Sequence, residues 1–508
     1  MKGKRPLQLK KSTDFFNFIA MNIKQILETD NSSKIVGLLT KAPEGKGSDT
    51  IETNIKQYDG THDILNRPNK TVGTGAKQKT VITAKQVIKL QKKITNTALS
   101  FLFGEPIIIT NISEDKNATD KAFGEIVRHW DRMKLHSHNR ELCRRLFIET
   151  HVAELFYLKK NLDGEIEIKV YLLCKDNGDE IFPHFDEYGD MDSFTRKYDV
   201  EDEKGKTQQY IDVYMADRMI RFHRISGGYE RKDFVNGVEI PDPEDPENEE
   251  KKNTIILGKI PVIYYQQEAT EWGDVQSQID QFEMRLSKFI DTNDYFGSPA
   301  IKVMGELVDA PEKGEIGKVF TLKGQNIDGK YSYGDIQYLT WEHMPTAVEL
   351  ELKELRNIIY SLSSTPDLSF DNVKGSQALS GIAMKFMFLD AILKAKNHEE
   401  VFSENFTRRM NILKQMIAKI VNISMADQLK NLKFGFEFQN PLPENVQEIV
   451  DMLVSATGNE RIMSRDTAVS LNPLITDAKD ELKKMASDDE RSQLEIGSQT
   501  FGEPGMQE

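Results

Sequence analysis

Residues 365–381 read TPDLSFDNVKGSQALSG, and from Ile382 to Lys433 the chain then carries neither Gly nor Pro. Nothing local stops a helix there, so one ending near Met425 would run roughly 65 Å at 1.5 Å per residue. Its second half sets Phe402, Phe406, Leu413, Ile417 and Ile420 at helical spacing, one apolar stripe for a core. Its middle, residues 394–400, is almost entirely polar, which predicts a change of packing partner or a bend near Asn397. The preceding segment, with Pro366, Gly375 and Gly381 around Leu368, Phe370 and Val373, reads as a mobile loop feeding a rigid rod.

Two shorter helices precede that loop. Trp272, Val275, Ile279, Phe282, Leu286 and Phe289 alternate steps of three and four, and Val348, Leu352, Leu355, Ile359 and Leu362 do the same, so each carries one seam. Between them, residues 296–341 change to strand chemistry: Ala300 to Met304, Lys318 to Leu322 and Tyr331 to Leu339, separated by Gly-rich turns. Two seam helices therefore hold a small β-rich module between them.

At 508 residues the chain exceeds one core, and two to four domains are expected. No apolar run approaches the roughly 20 residues a membrane span requires, and the basic start at residues 1–11 has no apolar stretch behind it, so neither signal peptide nor anchor is expected. Cys143 and Cys174 lie in no CxxC or Cys/His spacing, which argues against a disulfide framework or a zinc site. The net charge of −14, from 67 Lys plus Arg against 81 Asp plus Glu, is wrong for a protein that grips nucleic acid tightly.

Read in order, residues 12–30 predict an amphipathic helix capped by Ser12 or Thr13, and residues 42–48 a linker. Residues 81–103 read as a second helix stopped by Gly104 and Pro106, followed by a short strand at 107–110. Gly73 to Thr80, GTGAKQKT, imitates a phosphate-binding loop, but Gln78 stands where Gly is needed and no buried strand precedes it; a solvated basic loop is the better reading. Residues 115–146 read as helical. His136 and His138 there are two apart and share no helical face, so with Glu141 they make a poor metal site. Strands are expected at 153–158, 166–173, 208–215 and 220–225, joined as antiparallel hairpins, and residues 255–265 close the domain with an apolar strand after the acidic loop 241–252. Phe434, Phe436 and Phe438 alternate in a strand that returns to the N-terminal domain. Short helices are expected at 444–454, 465–471 and 477–486, with an unstructured tail from 487.

In this order the segments resemble one family, the portal proteins of tailed double-stranded DNA bacteriophages of the long-tailed kind. The resemblance rests on Tyr58, Gly60 and Asp63 to Leu65 before a helix ending LFGEP at 102–106; on Gly258 to Val262 entering the helix from Trp272; on Ser380, Gly381, Ala383, Met384 and Lys385; on NPLP at 440–443; and on Ser464, Thr467 and Ala468 leading to Asn472, Pro473 and residues 477–481. It spans roughly residues 50–490; the acidic loop and basic start fall outside it.

The resemblance implies an α+β portal fold. Its parts would be a mixed wing at 1–270, a two-helix stem at 271–294 and 343–363, a small β-rich clip at 295–342 and a tunnel loop at 364–380. A long, kinked helix with a returning wing strand at 381–440, a helical crown at 441–490 and a disordered tail at 491–508 complete it. It further implies a dodecameric ring at one capsid vertex, within the virion after assembly in the host cytoplasm. Expected partners are the terminase large subunit, a head-completion adaptor, the major capsid and scaffolding proteins, and double-stranded DNA passing through without sequence specificity, with no membrane, cofactor, metal or catalysis involved. A conduit for a polyanion should hold no phosphate tightly. Asp280, Glu283, Asp291, Glu349, Glu351 and Glu354 of the stem fit such a wall, although each also fits the solvated face of a seam helix. The tunnel loop offers Asn372, Lys374, Gly375, Ser376 and Gln377; Lys374 either touches the DNA backbone in passing or pairs with Asp371 or a neighbouring subunit's carboxylate. An enzyme would need an Asp/Glu/His cluster or an intact phosphate loop, and neither is present in the sequence. The remaining rival is a ring-forming virion or head-tail connector protein without a DNA channel.

Overall fold

The computed structural model describes residues 26–27, 31–41, 48–73, 75, 78–161, 165–241, 252–296, 300–304, 306–309, 320–327, 330–332, 334–339, 345–367, 386–439, 446–458, 462–475 and 477–499. The expected helix at 12–30, the acidic loop after Pro241 and the loop residues from 368 to 385 fall almost wholly outside these. The described residues form two units, the larger comprising residues 1–367 and 390–440.

The larger unit begins with α1 (Ser32–Leu39), whose N-cap Asn31 accepts the Lys34 N–H at 3.0 Å, and α2 (Ser48–Asp59). A two-stranded hairpin follows, β1 (Lys70–Val72) with β2 (Lys79–Val81). Helix α3 (Leu90–Phe103) starts nine residues later than the helix expected from 81, because residues 82–89 form no helix. After β3 (Ile108–Asn111), the helical stretch at 115–146 is two helices, α4 (Lys116–Arg132) and α5 (Leu135–Glu149), broken where Lys134 takes a left-handed φ of 52°.

Strands β4 (His151–Lys160) and β5 (Ile166–Leu173) form a hairpin as expected. A five-stranded antiparallel meander comes next: β6 (Glu180–Phe185), β7 (Met191–Glu201), β8 (Thr207–Tyr214), β9 (Arg218–Ile225) and β10 (Gly228–Val235). Three of its strands escaped the sequence reading, since β6, β7 and β10 mix polar and apolar residues without a clean period of two. The apolar stretch at 255–265 is split between β12 (Lys252–Ile256), which pairs with β11 (Gly237–Pro241), and β13 (Val262–Gln266), which joins β4. One face of the meander, with Ile211, Val213, Ile220 and Phe222, covers Ile35, Val36 and Leu39 of α1. Part of its other face sandwiches Phe194 and Tyr214 against Tyr264 and Leu155.

Helix α6 (Gln276–Phe296) leads into three antiparallel strand pairs: β14 (Ala300–Met304) with β19 (Asp335–Leu339), β15 (Glu306–Asp309) with β16 (Thr321–Lys323), and β17 (Gln325–Ile327) with β18 (Lys330–Ser332). Helix α7 (Pro345–Leu362) returns from them. The long helix α8 (Leu389–Met416) has 28 residues, about 42 Å. It runs unbroken through Asn397 and loosens into a π-turn only at Ile417–Val421, before α9 (Ala426–Asn431). The irregularity thus lies twenty residues beyond the expected bend. The polar middle reflects the other reading, a change of partner: Lys394 and His398 meet buried Glu271 at 2.6 and 3.2 Å, and Lys394 also donates to the Ser363 carbonyl.

Beyond that middle, α8 enters the main core. Phe402 packs edge-on against Phe103, with centroids 4.9 Å apart and an interplanar angle of 86°, and Phe406 lies among Trp130, Phe436 and Phe438. Full burial of each ring contributes about 1.5–3 kcal/mol. Strand β20 (Phe434–Glu437) returns to the N-terminal part as expected, though to β3 alone rather than to a larger sheet. At this crossing a Cβ on Gly435 would stand 2.7 Å from Thr110 Oγ1, so any larger residue would force Thr110 to shift.

The second unit contains α10 (Val446–Ala456), α11 (Arg465–Leu471) and α12 (Ala478–Gln499). The last runs through most of the tail expected to be unstructured. No proline interrupts it, and Asp480 pairs with Lys484 one turn on, so a polar sequence still makes a surface helix.

Burial drives one titration in the larger unit. Glu149, at the end of α5, is pushed up to about 7 by burial, against the hydrogen bonds it accepts from the Lys175 and Asp176 N–H groups at 2.7 and 3.3 Å. The folded chain keeps this proton up to about pH 7, while the unfolded chain releases it near the ordinary carboxylate value. Its contribution is therefore fully present below that ordinary value and lost as pH rises through 7. Melting at pH 5 and pH 8 should show a lower Tm at pH 8, and Glu149→Gln should shrink that gap; an unchanged gap would assign it to other groups.

Candidate functional site

Helices α6 and α7, with the strand pairs between them, are the part of the chain that the sequence singled out for function. The centre of their seam forms as the spacing predicts, with Trp272, Val275, Ile279 and Ile359 buried together and Phe282 beside them, but Leu362 is 57% exposed and Tyr360 joins the cluster instead, because the seam ends where α7 runs out. The same cluster takes in Tyr58, Leu90, Ile94 and Ile148, so the upper part of the seam is also the floor of the N-terminal helices.

A second face of α6 is occupied, and the sequence reading missed it. Residues 84–88 run along the helix, and alternate backbone N–H groups are taken by side chains one helical turn apart. Ala84 N–H donates to Asp291 at 2.6 Å, Gln86 N–H to Ser287 at 2.9 Å and Ile88 N–H to Glu283 at 2.7 Å. The match is geometric: four helical residues rise about 6 Å, close to the 6.4–6.8 Å of two extended ones. Arg67 closes one end, donating to Asp291 at 2.6 Å and to the Ala84 carbonyl at 2.8 Å.

The other end is closed by His62, whose Nδ1 lies 2.6 Å from Glu283 Oε1 and whose Nε2 lies 2.7 Å from the Gln57 carbonyl. Both ring nitrogens face oxygen acceptors, which an imidazolium satisfies and a neutral ring does not. Burial alone would lower this histidine, but the Glu283 and Gln57 hydrogen bonds outweigh it and its pKa is raised. The sequence did carry a trace of the strap, in β-branched Val81, Ile82, Thr83, Val87 and Ile88, which favour extended backbone.

This geometry corrects two expected wall residues. Glu283 is fully buried and held by His62 and the strap, so it faces no solvent channel; Asp291, half-buried between Arg67 and Ala84, is likewise an internal partner. Seam periodicity reports only the face turned to α7 and cannot see what covers another. Asp280 is half-buried, accepts from Gln276 at 2.8 Å, and is raised by burial, the Gln276 hydrogen bond opposing and the Asp63 and Glu283 carboxylates adding to it. Glu349, Glu351 and Glu354 are exposed on α7, Glu351 within 2.9 Å of Arg285. With Arg285, Lys288, Lys353 and Arg356 also exposed, the open surface of α6 and α7 is mixed in charge rather than uniformly acidic. Asn372, Lys374, Gly375, Ser376 and Gln377 lie outside the described residues. His136 accepts from Trp130 Nε1 at 3.2 Å and His138 meets Glu154 at 3.1 Å, and neither joins Glu141. Among the described residues no helix is long and apolar enough to cross a membrane.

Residues 46–495 match the family described as phage portal protein, SPP1 Gp6-like. Among solved structures, the chain is similar at 9% identity and a TM-score of 0.41 to a chain of the neck of a native GTA particle computed with C12 symmetry, covering 87% of this chain and 98% of that one. It is similar at 8% identity and a TM-score of 0.38 to a chain of the neck of an empty GTA particle computed with C6 symmetry, covering 75% and 88%. No curated protein matches it.

Proposed function

Because this chain belongs to the phage portal protein family, SPP1 Gp6-like, a structural and non-enzymatic family, we propose that it forms a closed ring of twelve copies at one capsid vertex, enclosing the channel through which the genome is packaged and ejected. The observation that carries the reading is the antiparallel pair α6 and α7, strapped along one face to the N-terminal domain and bearing a β-module at its far end. A rod braced in this way can stand beside copies of itself as a stave.

In this reading the stem forms the channel wall, with Asp280, Glu349, Glu351 and Glu354 as its acidic members. Residues 295–342 are the clip, which meets the terminase large subunit and later the head-completion adaptor. Residues 364–380 are the tunnel loop, where Asn372, Lys374, Gly375, Ser376 and Gln377 face DNA. Capsid and scaffolding proteins surround the ring as it assembles in the host cytoplasm. The interleaved Arg285, Lys288, Lys353 and Arg356 suit sliding better than a purely acidic lining, because alternating weak attraction and repulsion leaves no position where phosphate is held.

Negative-stain top views of the purified full chain test the ring, with a central hole wide enough for a duplex expected; a solid disc, filament or monomer would favour a connector without a channel. Within the loop, Lys374→Ala should reduce the DNA packaged per head. Wild-type packaging would remove Lys374 from contact with the backbone.

A further inference from the structure

Between Asp63 and Glu105 this acidic protein has no carboxylate side chain, while Arg67 to Lys93 contains eight Lys or Arg. The hairpin β1–β2 projects from this stretch. In its register Lys70 stands opposite Val81, and Lys79 lies two residues from Val81, so these three side chains share one face. Lys70 and Lys79 are exposed and held by no ion pair among the described residues. Val81 is 48% exposed. The face is thus basic and apolar together, and Arg67, Ala84 and Asp291 fix the base of the hairpin to α6.

A complementary face lies on α7. Leu350, Glu354 and Ile358 follow at steps of four, with Glu351 beside them; Leu350 is 58% and Ile358 42% exposed. This stripe is acidic and apolar. Two contacts place it on the flank of the stem away from the hairpin. Glu351 pairs with Arg285, which lies across α6 from the strap-bound Glu283, and Tyr360, on the other side of α7, receives Lys93 from the segment that follows the strap. The levels also agree: Asp291 and Arg285 are six residues apart, about 9 Å along α6.

We infer that the β1–β2 hairpin of one copy docks on the Leu350, Glu351, Glu354 and Ile358 stripe of a second copy. Two different surfaces on opposite flanks at similar height make a head-to-tail contact, the type that closes into a ring. Charge opposition sets register and direction, while Val81 against Leu350 and Ile358 excludes water. The inference rests on the ring proposed above and names its contact.

The test uses two full-length variants, Lys70→Glu/Lys79→Glu and Leu350→Lys/Glu354→Lys, which change exposed positions only. Each alone should raise the concentration for half-assembly by about tenfold or more, read by native mass spectrometry. An equimolar mixture should recover wild-type assembly in alternating rings, because the reversed hairpin then meets the reversed stripe. Rescue by mixing cannot come from a contact within one chain or from misfolding. If wild-type rings form and the variants assemble equally well, or the mixture remains defective, this contact is wrong and the portal reading stands. If the hairpin variant assembles normally but its rings lose retention on DNA, the hairpin serves a polyanion instead. If the wild-type chain forms no ring, both readings fail.

Discussion

Arg409→Ala is expected to cost about 3–5 kcal/mol, on the order of 10 °C in Tm. Arg409 is fully buried in the C-terminal half of α8. Its guanidinium donates to both oxygens of Glu154 at 2.9 and 2.8 Å, to Asn139 at 2.7 Å, and more distantly to Tyr265 Oη at 3.4 Å. Glu154 also accepts from Tyr265 at 2.7 Å and meets His138, so one carboxylate ties α8 to β4, β13 and α5. Removing the guanidinium strands a buried anion, which is why the cost exceeds that of an exposed pair. The double change Arg409→Met with Glu154→Leu should cost less than Arg409→Met alone, since it removes both charges. Calorimetry on the single variants decides: a loss below about 1 kcal/mol would mean that Arg409 is an incidental pair and not the tie between layers.

The same carboxylate has a pH signature. Burial would raise Glu154, but Arg409 and His138 hold it down at about 2. Its contribution is fully present above the ordinary carboxylate value and lost only as pH falls through 2. Melting curves of the Glu154→Gln variant should therefore converge with wild type only in strong acid.

The second large effect is expected at the strap. Glu283→Ala leaves the His62 imidazolium buried without its counter-ion and Ile88 N–H without an acceptor, a loss of about 3–5 kcal/mol centred where the strap meets α6. Hydrogen exchange reads it directly, because the amides of Ala84, Gln86 and Ile88 are held by three separate side chains. In wild type all three should be protected. In Glu283→Ala, Ile88 should lose protection most and Ala84, still held by Asp291, least. Uniform loss along the strap would point to global unfolding, and unchanged protection at Ile88 would refute the bond. The sign with pH follows from His62, whose pKa is raised: the pair contributes fully below about 6.5 and weakens as pH rises through the raised value. Protection factors at Ile88 should fall across that range, and His62→Gln should abolish the dependence.

The apolar spacings were reliable where one face of an element meets one neighbour. Trp272, Val275, Ile279 and Ile359 form a seam because each points to the same place, and Phe402, Phe406 and Leu413 reach the main core for the same reason. The reading failed where side chains rather than backbone satisfy a segment's hydrogen bonds. Residues 82–89 have the apolar content of a helix start, yet Asp291, Ser287 and Glu283, some two hundred residues on, take the N–H groups and keep them out of a helix. It also failed for Glu283, because burial of a carboxylate depends on a distant histidine that periodicity does not register.

By itself the chain's order of residues determined which stretches are helical rods, that a β-module sits between two of them, that a strand returns to the N-terminal part, and which family this is. These are consequences of spacing, of turn residues and of segment order, all local quantities. Tertiary structure alone decided which carboxylates are buried partners and which face water, and which helix faces stay open. Those outcomes depend on what lies opposite in space, and hydrogen bonds across two hundred residues leave no periodic trace in the chain.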